Sequence, residues 1–229
     1  MASEAIADIN ENNMNKKYEL TDETKEIRGI TLHRIRALMD ISRYGVRAGD
    51  IGGWIEAESN LSQDDDAWVS DDARVYGNAW VYGNARVSGK AVVSGDAVVC
   101  GDARVYGETW VNGNAVVRGN AWVSGKAVVC GNARVSGKAL VNGNAVVSGN
   151  AEVKSIRDYA VFKNGWSSGR WFTYTRSNRK WKVGCFHGTG EELISKAYKD
   201  SELSGKCYEA VVRAQEAIDK AIKEAKEAK

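Results

Sequence analysis

Ala67-Trp-Val-Ser-Asp-Asp-Ala-Arg-Val-Tyr-Gly-Asn-Ala-Trp-Val-Tyr-Gly-Asn84 opens a run of fifteen hexads that continues to Ile156, each beginning Ala-x-Val except the one at Thr109. Valine recurs at strict six-residue spacing from Val69 to Val153, and glycine holds the fifth place in thirteen consecutive hexads, from Gly77 to Gly149. Self-similarity at a fixed period marks a repeat architecture, in which each unit buries its apolar face only by stacking on its neighbours. Within Ala-x-Val the first and third side chains share one face of an extended strand and the middle one points away. Glycine two places after the valine, followed by Asn, Asp or Lys, supplies the positive φ of a sharp corner. A helix is excluded, because a period of six matches neither 3.6 nor 3.5 and a glycine per hexad would cost roughly 1 kcal/mol each. A hairpin array is disfavoured, because its strands would fall well below the usual length of about five residues.

The pattern resembles the hexapeptide repeats of the left-handed parallel β-helix family, where three hexads make one triangular coil. That resemblance implies about five coils, each rising about 4.8 Å, around a thin column of Val and Ala. The expected fold is therefore mainly β: a left-handed parallel β-helix with an N-terminal β cap and a C-terminal α+β cap. The chain divides into a flexible extension (1–15), the β cap (16–54), the repeat rod (55–156), a β-hairpin region (157–188) and helices (189–229). The arrangement also resembles hexapeptide-repeat proteins carried by bacteriophages and prophages. It does so through Lys17-Tyr-Glu-Leu-Thr21, Thr31-Leu-His-Arg-Ile35, Ala48-Gly-Asp-Ile-Gly-Gly-Trp-Ile-Glu56 and Gly184-Cys-Phe-His-Gly-Thr189. The second resemblance implies no activity.

Lys plus Arg of 32 against Asp plus Glu of 30 leaves a net charge of +2, too small for a polyelectrolyte partner across the whole surface. Any basic patch must be local. Met1 to Lys17 is polar and acidic with no apolar signal segment, and no run of eighteen apolar residues exists, so a cytoplasmic protein of a bacterial host without a membrane span is expected. Met14 is expected to be an alternative start, or the native start behind an added leader. Cys100, Cys130, Cys185 and Cys207 lack C-x-x-C spacing, which argues against zinc and for thiols in a reducing compartment.

Tyr18–Thr21 and Ile30–Leu38 alternate apolar with polar and predict a hairpin closed by the charged stretch 22–28 and Gly29. Ile55 and Leu61 already stand six apart, while Leu61 to Val69 is eight, so the Asp64-Asp65-Asp66 region is a two-residue insertion at a solvated corner. Three adjacent aspartates lack the spaced ligands of a calcium loop. Further on, a strand at 159–162, a hairpin at 171–186 around Ser177-Asn178, a capping box at Thr189 and Glu192, a helix over 190–199 and a second helix from about 202 to the end are predicted.

The outward residue of each hexad is the informative variable. Grouped by coil, one wall reads Trp68, Arg86, Arg104, Trp122, Leu140, the second Arg74, Val92, Trp110, Val128, Val146, and the third Trp80, Val98, Val116, Arg134, Glu152. The second wall, with Val98 and Val116, is apolar enough to be covered. The resemblance to the left-handed β-helix family implies rods packed side by side as a homotrimer; cover by the C-terminal helix of the same chain is the intrachain alternative.

Three functions follow from different residues. Trp166, Arg170, Trp171, Tyr174, Arg176, Arg179, Lys180, Trp181 and Lys182 interleave aromatics with cations, a pattern suited to stacking on bases and meeting phosphates. His187 and Thr189 complete this set, because a helix N-terminus favours anions. The expectation is a non-catalytic binding protein for a nucleotide or other anionic small molecule, or for a host factor, with no metal and no cofactor. A structural scaffold is the second reading. The third, an acyltransferase with a histidine base, is implied only by the resemblance to the left-handed β-helix family, and it is weakened because His33 and His187 both lie outside the rod and a general base must reach the attacking hydroxyl.

Overall fold

The computed structural model describes residues 16–228; the expected extension and the alternative start at Met14 lie outside them. The chain divides into two compact units, one ending at Ile156 and the other beginning at Arg157.

In the first unit the hexads form fifteen two-residue strands, β4 (Trp68–Val69) to β18 (Glu152–Val153), which follow β1 (Tyr18–Ile27), β2 (Ile30–Ala37) and β3 (Ile51–Ile55). Each strand pairs in parallel with the one three hexads on, so the chain winds through three walls in turn. Between coils the ladder is regular: the Trp110 amide donates to the Ala127 carbonyl and the Asn112 amide to that of Val129, both at 3.0 Å. The inward alanines and valines are at most 1% exposed. The walls are those the period predicts, with Arg74, Val92, Trp110, Val128 and Val146 on one sheet.

The parallel solenoid has about six turns where the hexad count implied five. Ile55 pairs with Val75 and Leu61 bridges to Val81, so these two added rungs complete a first turn with Val69, the first of the fifteen hexad rungs. All three are buried. Its Ile55 and Leu61 rungs have no Ala-x-Val signature, and its corner 62–66 holds the two-residue insertion. That corner is less solvated than its three aspartates suggest. Asp65 lies 3.5 Å from the Lys17 ammonium and accepts the backbone amides of Ala67 and Gly83.

The hairpin β1–β2 extends the wall that contains β3, with β2 antiparallel to β3 and β3 parallel to β5 (Arg74–Val75). Strand β1 runs through the charged stretch expected to be a loop, with a register shift between Leu20 and Thr24. An exposed two-stranded ribbon needs only its backbone ladder there, so the charges stay at the surface, with the Lys25 ammonium 5.4 Å from the Trp54 ring.

The second unit is an antiparallel sheet in the order β19 (Tyr159–Lys163), β20 (Trp171–Thr175), β21 (Lys180–Val183), β22 (Phe186–Gly188), followed by α1 (Gly190–Asp200) and α2 (Glu202–Glu227). Thr189 caps α1: its hydroxyl accepts the Glu192 amide at 3.2 Å while the Glu192 carboxylate accepts the Thr189 amide at 2.6 Å. One sheet face carries Phe172, Tyr174, Trp181 and Val183, which pack on Leu193, Ile194, Ala197, Tyr208 and Val212 of the helices. Among the described residues no helix is long and apolar enough to cross a membrane.

Candidate functional site

Alternation along β20 and β21 sorts the predicted ligand residues by face. Tyr174 and Trp181 are cross-strand partners pointing toward the helices, with ring centroids 5.0 Å apart. Both are core residues, at 6% and 2% exposure. Trp166 packs edge-on against Phe172 and Tyr208, so it too is chiefly structural. Trp171 remains exposed, with the Lys163 ammonium 5.7 Å from its ring. Period-two alternation sends Phe172 and Tyr174 toward the helices and Trp171 to the opposite side of the sheet.

A different cluster forms instead. Tyr174, Arg176, Arg179 and Trp181 line one groove of about 620 Å³, whose other wall is α2 with Val212, Gln215, Glu216, Asp219, Lys220, Ile222 and Lys223. Asp219, one of its lining residues, ties the hairpin to α2. Its carboxylate accepts the Tyr174 hydroxyl at 2.5 Å, the Arg176 Nε at 2.7 Å and the Gln215 amide at 2.8 Å. Burial pushes the Asp219 carboxyl upward, yet the bonds from Tyr174, Arg176 and Gln215 outweigh it and hold the group below its ordinary value. Burial, followed by the bond to Asp219, raises the Tyr174 phenol. Arg176 is thus held by an internal carboxylate, while Arg179, at the hairpin tip with φ of 52°, forms no ion pair among the described residues. Lys220 and Lys223 face Glu224 and Glu227 at 3.8 and 3.7 Å, exposed contacts that constrain them little.

The remaining candidates lie elsewhere in this unit. Lys182 pairs across the sheet with His187, on the face opposite the core. The His187 ring is pushed down by burial and by Lys182 and Lys180, which favours its neutral form. Lys180 lies 3.9 Å from Glu192, and Arg170 is exposed beside Gly184. The anion site expected at Thr189 is filled by the chain's own Glu192 carboxylate. In the solenoid, His33 Nδ1 lies 3.4 Å from the Thr21 carbonyl. Among the described residues no group of His, Cys, Asp and Glu is arranged to hold a metal. No disulfide joins the four cysteines.

Of the predicted interface residues, Val92 is buried, at 2% exposure, in register between Arg74 and Trp110. Val98, Val116, Val128 and Val146 are half-buried, and Trp110 is 41% exposed.

The sequence alone could not find the α2 half of the groove. Gln215 and Ile222 stand at ordinary helical spacing there, Asp219 carries no local signal, and only the folded hairpin gives Asp219 its partners.

Comparison with family models matches residues 67–83, 79–95 and 133–149 to the YdcK beta solenoid repeat. The matched segments lie within the hexads, in agreement with a repeat β-helix chain. No curated protein matches this sequence.

Proposed function

We propose that this protein is a non-catalytic binding protein whose C-terminal unit takes an anionic small molecule with a planar or apolar body. The observation that carries this reading is the groove itself, lined by Arg179, Lys220 and Lys223 together with the apolar Trp181, Val212 and Ile222. Cations beside an apolar side chain suit a nucleotide: the phosphates meet Arg179, Lys220 and Lys223, and the base packs against the partly exposed Ile222. On this reading Asp219 does no chemistry. It fixes Tyr174 and Arg176 so that the groove keeps its shape.

The finer picture is a left-handed coil assembled as a homotrimer, with Trp110, Val128 and Val146 against a neighbouring copy. The exposure of Trp110 in the single chain supports such an interface. The likeness to phage and prophage hexapeptide-repeat proteins extends the proposal to a cytoplasmic product that sequesters a nucleotide signal or a host factor.

Calorimetry with linear and cyclic nucleotides tests the groove. We expect saturable binding that falls at least tenfold in Arg179→Ala/Lys220→Ala. No heat with any nucleotide, or equal binding by that variant, would remove the proposal.

A further inference from the structure

A second anion site is suggested by one wall of the solenoid, independent of the groove. Arg86 stands directly over Arg104, and Arg104 over Trp122, as partners on adjacent parallel strands. Neighbouring rungs are about 4.8 Å apart, so two like charges share one stretch of wall. Such pairs are destabilising unless something neutral or negative lies between them. Neither arginine forms an ion pair among the described residues, and Arg86 Nε is buried without a hydrogen-bond partner there. The nearby carboxylate, Asp102, is engaged by Arg43 and by the Asn84 amide.

Both guanidiniums are also held in place. Arg86 lies 5.4 Å from the Tyr44 ring and Arg104 lies 5.1 Å from that of Trp122. The Tyr44 hydroxyl is fixed in turn by a bond to the Asn84 carbonyl, and Tyr106 packs edge-on against Trp122. Burial raises the Tyr44 phenol while Arg43 and Arg104 pull it down, which places Arg104 within electrostatic reach of the same ring. Stacking uses the face of a guanidinium and leaves its N–H edge available. Two pre-oriented edges, one rung apart, suit an oxyanion with more than two oxygens. A carboxylate fills one fork; a phosphoryl group can satisfy two.

We infer that Arg86 and Arg104 together hold a phosphoryl group on this wall, with Tyr44 and Trp122 as the aromatic supports that position them. Binding needs no chemical step. The phosphoryl group can come from a free phosphate ester or from a nucleic-acid backbone.

The test uses the full chain carrying Arg179→Ala/Lys220→Ala, so that the groove is disabled and the two sites report separately. Calorimetry with pyrophosphate, a single-stranded oligonucleotide and polyglutamate is repeated after adding Arg86→Gln/Arg104→Gln, with Arg134→Gln as a control on another wall and circular dichroism to verify folding. The expected result is binding of pyrophosphate, of the oligonucleotide or of both, lost at least tenfold in the Arg86/Arg104 variant and unchanged in the control. Pyrophosphate binding identifies a free ester as sufficient; oligonucleotide binding alone identifies the backbone. Arg104→Lys should restore only part of the affinity, because an ammonium keeps the charge without the fork. Absence of binding by both phosphoryl probes, equal loss in the control, or stronger binding of polyglutamate would overturn the assignment.

Discussion

Lys17 reaches the Ala67 carbonyl: its ammonium donates there at 2.8 Å and to the Asp65 carbonyl at 2.6 Å. In the interior of the solenoid each such carbonyl takes an amide from the preceding coil, as Ala85 does from Trp68. Ala67 belongs to the first turn and has no coil before it on that wall, so a side chain substitutes. Asn60 does the same at Gly77 and Ala79, and the Tyr18 hydroxyl at Glu58 and Leu61. An open edge of unpaired backbone groups is a template for association, and these three side chains close it.

Lys17→Met should therefore cost about 1–3 kcal/mol, the usual penalty for leaving a buried acceptor unsatisfied. Urea unfolding measures it, and a loss under 0.5 kcal/mol (about the effect of a surface change) would show that water replaces the ammonium.

The alkaline limb of stability should report Tyr18. Burial raises its phenol above the ordinary 10.0, with Glu58 adding to the shift. A raised folded value means the contribution is complete below pH 10 and is lost as pH rises, because the unfolded chain ionises first. The stability difference between the native protein and Tyr18→Phe should shrink by about 1.4 kcal/mol per pH unit above pH 10. Lys17 titrates oppositely: burial lowers it from 10.5 against the pull of Asp65, so on its own it adds stability as pH rises toward that value. Tyr18→Phe isolates the phenol, since both proteins keep Lys17.

Two glycines separate conformation from crowding. Gly113 has φ of 69° and a Cβ added there would stand 3.0 Å from the Gly131 amide, whereas Gly143, at 63°, would meet nothing within 4 Å. Gly143→Ala should cost only the left-handed backbone penalty of about 1–2 kcal/mol. Gly113→Ala should cost more, because backbone cannot step aside as a side chain can. Equal melting temperatures would refute the role of the stacked column.

Thr109 interrupts the alanine column. It is fully buried and its hydroxyl has no partner among the described residues. Thr109→Val keeps the shape and removes the orphan group, so the protein should gain about 1 kcal/mol, seen as a higher melting temperature.

Asp219→Asn should loosen α2 from the hairpin, because Arg176 and Tyr174 lose the carboxylate that accepts from both. Hydrogen exchange should rise in α2 while the solenoid amides stay protected. With Asp219 held below its ordinary value, its contribution is present at neutral pH and disappears as pH falls through the folded value. The native protein should therefore converge on the variant in acid.

The six-residue period of valine was sufficient to place the fifteen rungs from Val69 to Val153 and all three walls, because a solenoid repeats one local geometry. The capping box at Thr189 and the hairpin around Asn178 were legible for the same reason: their signals are local. What escaped was non-local. Leu61 joins the column without an Ala-x-Val frame, and Lys17 and Tyr18 serve carbonyls more than forty residues away. Nor could adjacency in sequence reveal that Trp181 points into the core while Lys182 points away. The groove depends on Asp219 meeting a hairpin far upstream, a contact no periodicity encodes.

Because each hexad advances the chain by one wall, insertions and deletions in the solenoid have a strict grammar. Removing three hexads shortens the prism by one storey and leaves every later outward residue on its original face. Removing a single hexad instead turns all that follows by a third of a revolution, so Trp122 would leave the column below Arg104. Length can therefore drift freely in this protein only in units of a full circuit, and surface function is inherited or lost in the same steps.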